Sequence, residues 1–152
     1  MSTHAPVKDV AVVLPAYNEE RDLPALLTRI KETLSDQPFG YHVVVVDDGS
    51  MDRTAEIAEE AARTMPVHLF KHGVNRGLGC AIQTGLREAV KYGDLIVSMD
   101  ADNSHDPIYI ADMRHGSREV ALIEERQAHA GQHQGRTDEQ ADDQHAMHDV
   151  VQ

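Results

Sequence analysis

The chain has 152 residues, enough for one domain with a sizeable hydrophobic core. Its 26 acidic and 14 basic residues give a net charge of -12, which argues against nucleic acid or an anionic membrane surface as the main partner. The single cysteine, Cys80, cannot form an internal disulfide, and no apolar run is long enough to cross a membrane. We therefore expect a protein of the cytoplasm, with Cys80 buried in a helix.

Four apolar runs alternate with three amphipathic patterns along the first three quarters of the chain. The runs at residues 10–14, 42–46 and 95–97 predict buried strands, and residues 67–70 predict a further strand. Between them, apolar residues at helical spacing predict three helices: Leu23, Leu26, Leu27, Ile30 and Leu34; then Ile57, Ala58, Ala61, Ala62 and Met65; then Leu78, Ala81, Ile82, Leu86, Ala89 and Val90. We expect Asn18 to cap the first helix, and Asp52 or Ser50 to cap the second.

This alternating order predicts an α/β fold with a parallel, doubly wound sheet, whose ligands bind at the carboxyl ends of the strands. A polar cluster follows every predicted strand. The clusters are Tyr17 and Glu19, Asp47 and Asp48, Asn75 and Arg76, and Asp100 and Asp102. Four polar loops that meet at one sheet edge indicate a binding site there.

The fourth strand ends in the sequence Asp100-Ala101-Asp102. Two carboxylates at the rim of a sheet can bind Mg²⁺ or Mn²⁺, usually together with substrate phosphates. The same short pattern also occurs in simple turns, because aspartate is a common turn residue. The converging loops favour the metal site.

The other three clusters suit a nucleotide diphosphate. Asp47 and Asp48 can accept hydrogen bonds from ribose hydroxyls or base N–H groups, although Asp48 could equally cap a helix. Tyr17 can stack on a base, and Arg76, beside two glycines, can reach a diphosphate unless it belongs to a flexible basic loop. A metal beside that diphosphate would neutralise the negative charge of the diphosphate as it leaves. We therefore expect the substrate to be cleaved at its distal phosphate bond.

Two other phosphate-binding classes are excluded by the loops themselves. The glycine-rich loop GVNRGLG is not followed by Lys and Ser or Thr, so it is not a P-loop. The first strand is followed by PAYNEE rather than GxGxxG, which makes a dinucleotide site improbable. We expect His105, which follows the acidic pair, to support the loop rather than act as a general base.

Four motifs, LPAYNEE, VVVVDDGSMDRT, NRGLGCAIQTG and MDADNSHDP, together resemble the amino-terminal half of family 2 glycosyltransferases. They are most similar to the branch that acts on dolichyl or polyprenyl phosphate, over about residues 10–113. The resemblance implies the amino-terminal half of a GT-A fold with its Rossmann-like parallel sheet, a nucleotide-diphosphate sugar as donor, and Mg²⁺ or Mn²⁺ as cofactor. It also implies which residues bind: Pro15, Tyr17, Glu19, Asp47 and Asp48 at the nucleoside, Arg76 near the donor phosphates, Asp100, Ala101 and Asp102 as the DXD element, and Ser104 where some members supply another metal ligand.

The sequence changes character after Met113. The last 39 residues contain no aromatic residue and no proline, and hold five of the ten histidines. Such a segment buries too little apolar surface to offset its ordering entropy. We therefore expect a nucleotide-sugar-binding half at residues 6–113 and a poorly ordered tail at 114–152 outside the family, as a frameshift would produce. On this view the fourth strand has an exposed edge, and the chain alone transfers sugar slowly or not at all.

Three functions stay open on these grounds. The first is a glycosyltransferase that moves a sugar to polyprenyl phosphate or another acceptor, in the cytoplasm or peripheral to the inner face of the membrane. The second is a non-catalytic nucleotide- and metal-binding remnant of such an enzyme. The third, of a different class, is a histidine-rich metal- or partner-binding protein that works through its tail.

Overall fold

The computed structural model describes residues 6–112 and the backbone of a short strand at 120–122. The strands are β1 (Asp9–Ala16), β2 (Gly40–Asp47), β3 (Val67–Lys71), β4 (Leu95–Ser98) and β5 (Val120–Leu122), and the helices are α1 (Leu23–Leu34), α2 (Thr54–Ala61), α3 (Leu78–Ala89) and α4 (Ile108–Ala111). The predicted α/β fold with a parallel sheet is confirmed. The predicted strands are each present, with β1 and β2 longer by a few residues than their apolar runs.

The sheet order is β3-β2-β1-β4-β5, and every neighbouring pair is parallel. The chain first builds outward from β1 through β2 to β3, and then returns to place β4 on the other side of β1. This reversal makes a topological switch point between β1 and β4, where doubly wound folds open a crevice at the carboxyl ends of the strands. The polar loops after β1 and β4 meet at that crevice.

The central strand β1 is covered on both faces, as its continuous apolar run predicts. Val12 and Leu14 pack in the core beneath α1, α2 and α4, while Ala11 and Val13 pack beneath α3, and all four are fully buried. A strand held in this way on both sides gives the loops at its carboxyl end a rigid base.

Helix α3 contacts the sheet through smaller residues than predicted. Leu78 and Val90, expected on its buried face, are 54% and 64% exposed, and the buried positions are Ala81, Gly85 and Ala89. A Cβ at Gly85 would lie 2.3 Å from Val13 Cγ1, so the helix lies too close to the sheet for a larger side chain. Ala62, just past the end of α2, and Cys80 are likewise exposed instead of buried.

The predicted cap of α1 is wrong, because the helix begins four residues later than Asn18 suggests. Asn18 has a positive φ of 52° and accepts a hydrogen bond from the Met51 N–H at 2.9 Å. The N-cap position of α2 is Arg53 and not the expected Asp52 or Ser50. Asp52, one residue earlier, accepts the N–H of Thr54 at 2.9 Å, and Ser50 accepts the N–H of Asn18. The loops after β1 and β2 are therefore joined by Asn18 and Ser50, two side chains that were expected to cap helices.

Strand β5 lies within the segment expected to be a tail outside the domain. It pairs with β4 from Ile96 opposite Val120 to Ser98 opposite Leu122. The expectation of an exposed β4 edge is thus wrong over these residues, because a strand of three residues gave too weak a pattern to be recognised. The rest of the predicted tail, residues 114–119 and 123–152, lies outside the described residues, as does Met113.

Candidate functional site

A cavity of about 330 Å³ opens at the carboxyl ends of β1 and β4. It is lined by Pro15, Ala16, Tyr17, Glu19, Asp48, Asn75, Leu78, Ala81, Asp100, Ala101 and Asp102. Seven of the nine predicted site residues are in this lining, and Asp47 and Arg76 are not. A larger groove of about 770 Å³ between α1 and α2 contains none of the predicted residues.

The loop that follows β4 carries the acidic pair. Asp100 is half-buried and Asp102 is exposed, with the buried Ala101 between them. Ser104 donates its backbone N–H to Asp102 Oδ1 at 2.9 Å. Hydrogen bonds from the Ser104 side chain and backbone hold the pKa of Asp102 below its usual value, so this carboxylate is ionised at neutral pH.

His105 supports this loop from beneath, as expected. It is 5% exposed, and its Nδ1 accepts the backbone N–H of Asp100 at 3.4 Å. The ring lies behind the backbone of the acidic pair instead of in the cavity lining.

Negative charge is concentrated on one side of the cavity. Burial, and then the charge of Asp102 and other neighbouring carboxylates including Asp100, raise the pKa of Glu19. Carboxylates crowded in this way are hard oxygen ligands that fit Mg²⁺ or Mn²⁺. Within residues 6–112, no three His, Cys, Asp or Glu side chains are placed to bind a metal together. The acidic pair would thus share a cation with oxygens from another molecule, as phosphates provide.

Arg29 on α1 ties the acidic loop to the body of the domain. Its Nη1 donates to Asn103 Oδ1 at 2.7 Å, and its Nη2 lies 3.1 Å from Asp106 Oδ1. Asn103 has a positive φ of 61°, which an asparagine tolerates in a tight turn. Sequence reasoning missed Arg29 because its partners lie more than 70 residues away and no local pattern marks it.

The two aspartates after β2 differ in what they contact. Asp47 is buried, and its Oδ1 accepts the Ser50 N–H at 3.1 Å. Asp48 accepts three hydrogen bonds, from the Arg76 N–H at 2.8 Å, the Gly77 N–H at 2.9 Å and His72 Nδ1 at 2.7 Å. Burial acts to raise the pKa of Asp48, but these three donors hold it below its usual value. The alternative role of Asp48 as a helix cap is therefore wrong, because its carboxylate holds the two residues that precede α3 and no side chain in the described part of the chain caps α2 or α3.

The loop after β3 is packed backbone against backbone on the loop after β2. Gly49 has a φ of +76°, and a Cβ there would lie 2.4 Å from the carbonyl carbon of Val74 and the nitrogen of Asn75. Only glycine permits this approach. The Arg76 side chain is exposed. Its neighbour Asn75, from the same predicted polar cluster, reaches the cavity, and so does Leu78, which was predicted only as part of the buried face of a helix.

Tyr17 lies at the cavity rim and is 46% exposed. The residues that follow it are tied to the loop after β2, because the Asn18 N–H donates to Ser50 Oγ at 2.9 Å and the Glu19 N–H donates to Thr54 Oγ1 at 2.8 Å. The loops after β1, β2 and β3 are thus connected to one another by hydrogen bonds around the cavity.

Residues 11–115 match the model of glycosyl transferase family 2. The chain is 39% identical over 109 residues to the undecaprenyl-phosphate 4-deoxy-4-formamido-L-arabinose transferase of Proteus mirabilis, covering 70% of this chain and 33% of that protein. It is 43% identical over 98 residues to the dolichol-phosphate mannosyltransferase of Pyrococcus furiosus, covering 64% of this chain and 27% of that protein. The chain spans about a third of the length of these curated relatives.

A solved structure resembles the chain at the level of the fold as well. It is glucosyl-3-phosphoglycerate synthase from Mycobacterium tuberculosis in complex with Mn²⁺, UDP and glucosyl-3-phosphoglycerate, with a TM-score of 0.53 and 27% identity. The match covers 68% of this chain and 37% of that one. In the described part of the chain, no helix has both the length and the apolar character needed to cross a membrane.

Proposed function

Because the chain belongs to the family 2 glycosyltransferases and has their GT-A type of sheet, we propose that it binds a nucleotide-diphosphate sugar and transfers the sugar to a polyprenyl phosphate. The observation that carries this proposal is the cavity at the switch point. Residues from the loops after four strands line it or hold its lining in place, and an acidic pair lies on one side.

The nucleoside would bind on the β1 and β2 side of the cavity, near Pro15, Tyr17 and Glu19. Tyr17 and Leu78 are exposed apolar side chains in the same lining, and such side chains can flank the faces of a base. Asp47 and Asp48 would act at the nucleoside end, and Asp48 does so by ordering the loop that carries Arg76. Arg76 would reach the donor phosphates from the rim.

Asp100 and Asp102 would hold Mg²⁺ or Mn²⁺ together with the diphosphate, with Ala101 against the donor and Ser104 as a further oxygen ligand. When bound, the cation supplies positive charge that stabilises a nucleoside diphosphate as leaving group. The chain's own residues fix the geometry, since His105 and Arg29 hold the loop and Ser104 keeps Asp102 ionised.

The acceptor in this proposal, a polyprenyl phosphate, carries a phosphate that is already anionic. Such a nucleophile has less need of a general base than a sugar hydroxyl has. The names of both curated relatives state that they act with undecaprenyl or dolichol phosphate. Since a polyprenyl chain partitions into lipid, the reaction would take place in the cytoplasm at the inner face of the membrane.

Calorimetry with UDP and with GDP, in Mn²⁺ and again in EDTA, tests the donor half of the proposal. The variant Asp102→Asn keeps an oxygen that can accept the Ser104 N–H but removes the charge. We expect about tenfold or greater loss of metal-dependent affinity, because a charge-assisted ligand is removed. Asp36→Asn, outside this cavity, is the matched control. Equal affinity of Asp102→Asn and the parent chain would contradict the proposal.

Transfer of radiolabelled sugar to polyprenyl phosphate tests the second half. Placing both reactants can contribute about 7–11 kcal/mol of barrier lowering, so we expect turnover only where donor and acceptor are both held at the cavity. Nucleotide binding with no detectable transfer would favour the non-catalytic alternative. Turnover equal to that of a curated relative would show that the acceptor is held as well as the donor.

A further inference from the structure

Three polar side chains form a buried chain of hydrogen bonds behind the cavity. Asp48 Oδ1 lies 2.7 Å from His72 Nδ1, and His72 Nε2 lies 2.9 Å from Thr84 Oγ1. The side chains of Asp48 and His72 are only 4% and 6% exposed. Burying polar groups is unfavourable unless each finds a partner, and among the described residues no buried side-chain N or O atom lacks one.

The direction of these hydrogen bonds follows from Asp48. Its pKa is lowered, so it is a carboxylate and can only accept. His72 must therefore carry a proton on Nδ1, which donates to Asp48. The ring is held at its other nitrogen by Thr84, and its backbone N–H donates to the carbonyl oxygen of Asp47 at 2.9 Å. His72 is thus fixed at three points, which lie at the end of β2, in the loop after β2 and on α3.

The other two bonds to Asp48 show what this chain holds in place. The N–H groups of Arg76 and Gly77 both donate to the Asp48 carboxylate. Gly77, with a φ of +95°, is the residue immediately before α3, whose first turn brings Leu78 and Ala81 into the cavity lining. The orientation of the Asp48 carboxylate consequently sets where α3 begins beside the cavity.

We propose that His72 is a positioning residue of the donor site: it orients the Asp48 carboxylate, which in turn holds the Arg76–Gly77 backbone and the first turn of α3 against the bound nucleotide diphosphate. This inference rests on the proposed function, since it assigns a donor to the cavity. His72 itself is not in the cavity lining and touches no substrate.

Two substitutions separate the two hydrogen bonds of the His72 ring, one to Asp48 and one to Thr84. The amide nitrogen of Asn occupies nearly the position of Nδ1, so His72→Asn keeps the bond to Asp48 and loses the bond to Thr84. The amide of Gln reaches the position of Nε2, so His72→Gln keeps the hydrogen bond to Thr84 and loses the hydrogen bond to Asp48. Gln is closer to His in size, so a residue that only fills space should tolerate Gln better than Asn. The positioning role predicts the opposite order.

The test is calorimetry of UDP and GDP binding with Mg²⁺, together with amide hydrogen exchange followed by NMR. We expect His72→Asn to bind within about threefold of the parent chain, and His72→Gln to bind about tenfold or more weakly, since it loses a bond to a charged group. The amides of Arg76 and Gly77 should stay protected in the Asn variant and exchange faster in the Gln variant. His68→Gln, on β3 and away from the cavity, should change neither readout. Equal effects of the two His72 variants, or better tolerance of Gln, would overturn the inference.

The two readouts also separate this inference from the proposed function. A parent chain that binds neither nucleotide overturns the proposed function and the donor role of His72, while amide protection in the same samples still decides whether His72 positions the loop. Should both His72 variants fail to fold, NMR of the parent chain suffices. We expect a slowly exchanging Nδ1 proton on His72 that shifts with the Arg76 and Gly77 amides when nucleotide is added. A rapidly exchanging ring proton, or a ring that does not respond, would overturn the role.

Discussion

The loops on the two sides of the cavity are held by different kinds of interaction. The loop after β3 is fixed through Asp48 and His72, whose side chains are 4% and 6% exposed, and by close backbone packing at Gly49. The acidic loop after β4 is tied down by Arg29 and Asp106, which are 35% and 50% exposed, and by one long bond of 3.4 Å from the Asp100 N–H to the buried His105. Buried charge-assisted bonds are strong, whereas exposed ion pairs contribute little and weaken with salt. We therefore expect a preformed nucleoside side facing a metal loop that adjusts when cation and diphosphate arrive.

Asp48→Ala should have the largest effect. It leaves the N–H groups of Arg76 and Gly77 and the Nδ1 of His72 without their buried acceptor, so the free energy of unfolding should fall by about 3–5 kcal/mol. Urea denaturation measures it. Asp102→Ala removes a carboxylate from the exposed side and should change stability by less than about 1 kcal/mol. Similar losses from both variants would remove the distinction between the two loops.

Gly49→Ala tests the backbone packing between the loops after β2 and β3. We expect a loss of about 2–3 kcal/mol, because the new Cβ meets Val74 and Asn75 at 2.4 Å and the residue has a positive φ. Gly73→Ala is the matched control, since it has a φ of +77° but no atom within 4 Å of its Cβ position. It should lose only the conformational part, about 1 kcal/mol. Equal losses in thermal or urea unfolding would show that packing at Gly49 adds nothing.

Arg29→Gln probes the other side of the cavity. It removes the ion pair with Asp106 and weakens the bond to Asn103, so unfolding free energy should fall by about 0.5–1 kcal/mol at low salt. Unfolding at low and at high salt should show the difference between variant and parent chain shrink as the salt rises. An effect that is large and independent of salt would mean that the acidic loop is as rigidly held as the loop after β3.

Acid should destabilise the protein through a histidine remote from both loops. Burial, and then the nearby charge of His42, lower the pKa of His68 below 6.5. The unfolded chain therefore takes up this proton first, so the contribution of His68 is complete above about pH 6.5 and is lost as the pH falls through its folded pKa. Stability measured against pH should show a shallower acid decline in His68→Gln. Nucleotide affinity at neutral pH should be unchanged, because His68 pairs with His42 and stacks on Tyr92, outside the cavity lining.

The sequence predicted those parts of the fold and site whose signal is local. The continuous apolar runs of β1 and β2 reflect burial on both faces of the sheet. The spacing of Leu23, Leu26 and Ile30 in α1 reflects burial on one face of the helix. On α3, Ala81 and Ala89 are buried as predicted, but Leu78 and Val90 are exposed, because the helix contacts the sheet at Gly85 and periodicity arguments give weight to large residues.

Within the site, the acidic pair and Tyr17 follow their strands directly and were predicted to line the cavity, as they do. Their roles as ligands remain predictions. His72, Thr84 and Arg29 were missed. Each acts through a partner between 12 and 77 residues away, and no pattern in a short window reports such pairs.

The exposure of Cys80 has a practical consequence for labelling. It is the only thiol in the chain, and it lies on the first turn of α3 between Leu78 and Ala81, two residues of the cavity lining. A maleimide dye would therefore attach at a single known position beside the donor cavity, without any engineered cysteine. Its emission could follow nucleotide binding in the unmodified sequence. The same thiol means that oxidation can link this chain only to another molecule, so reducing agent belongs in every such titration.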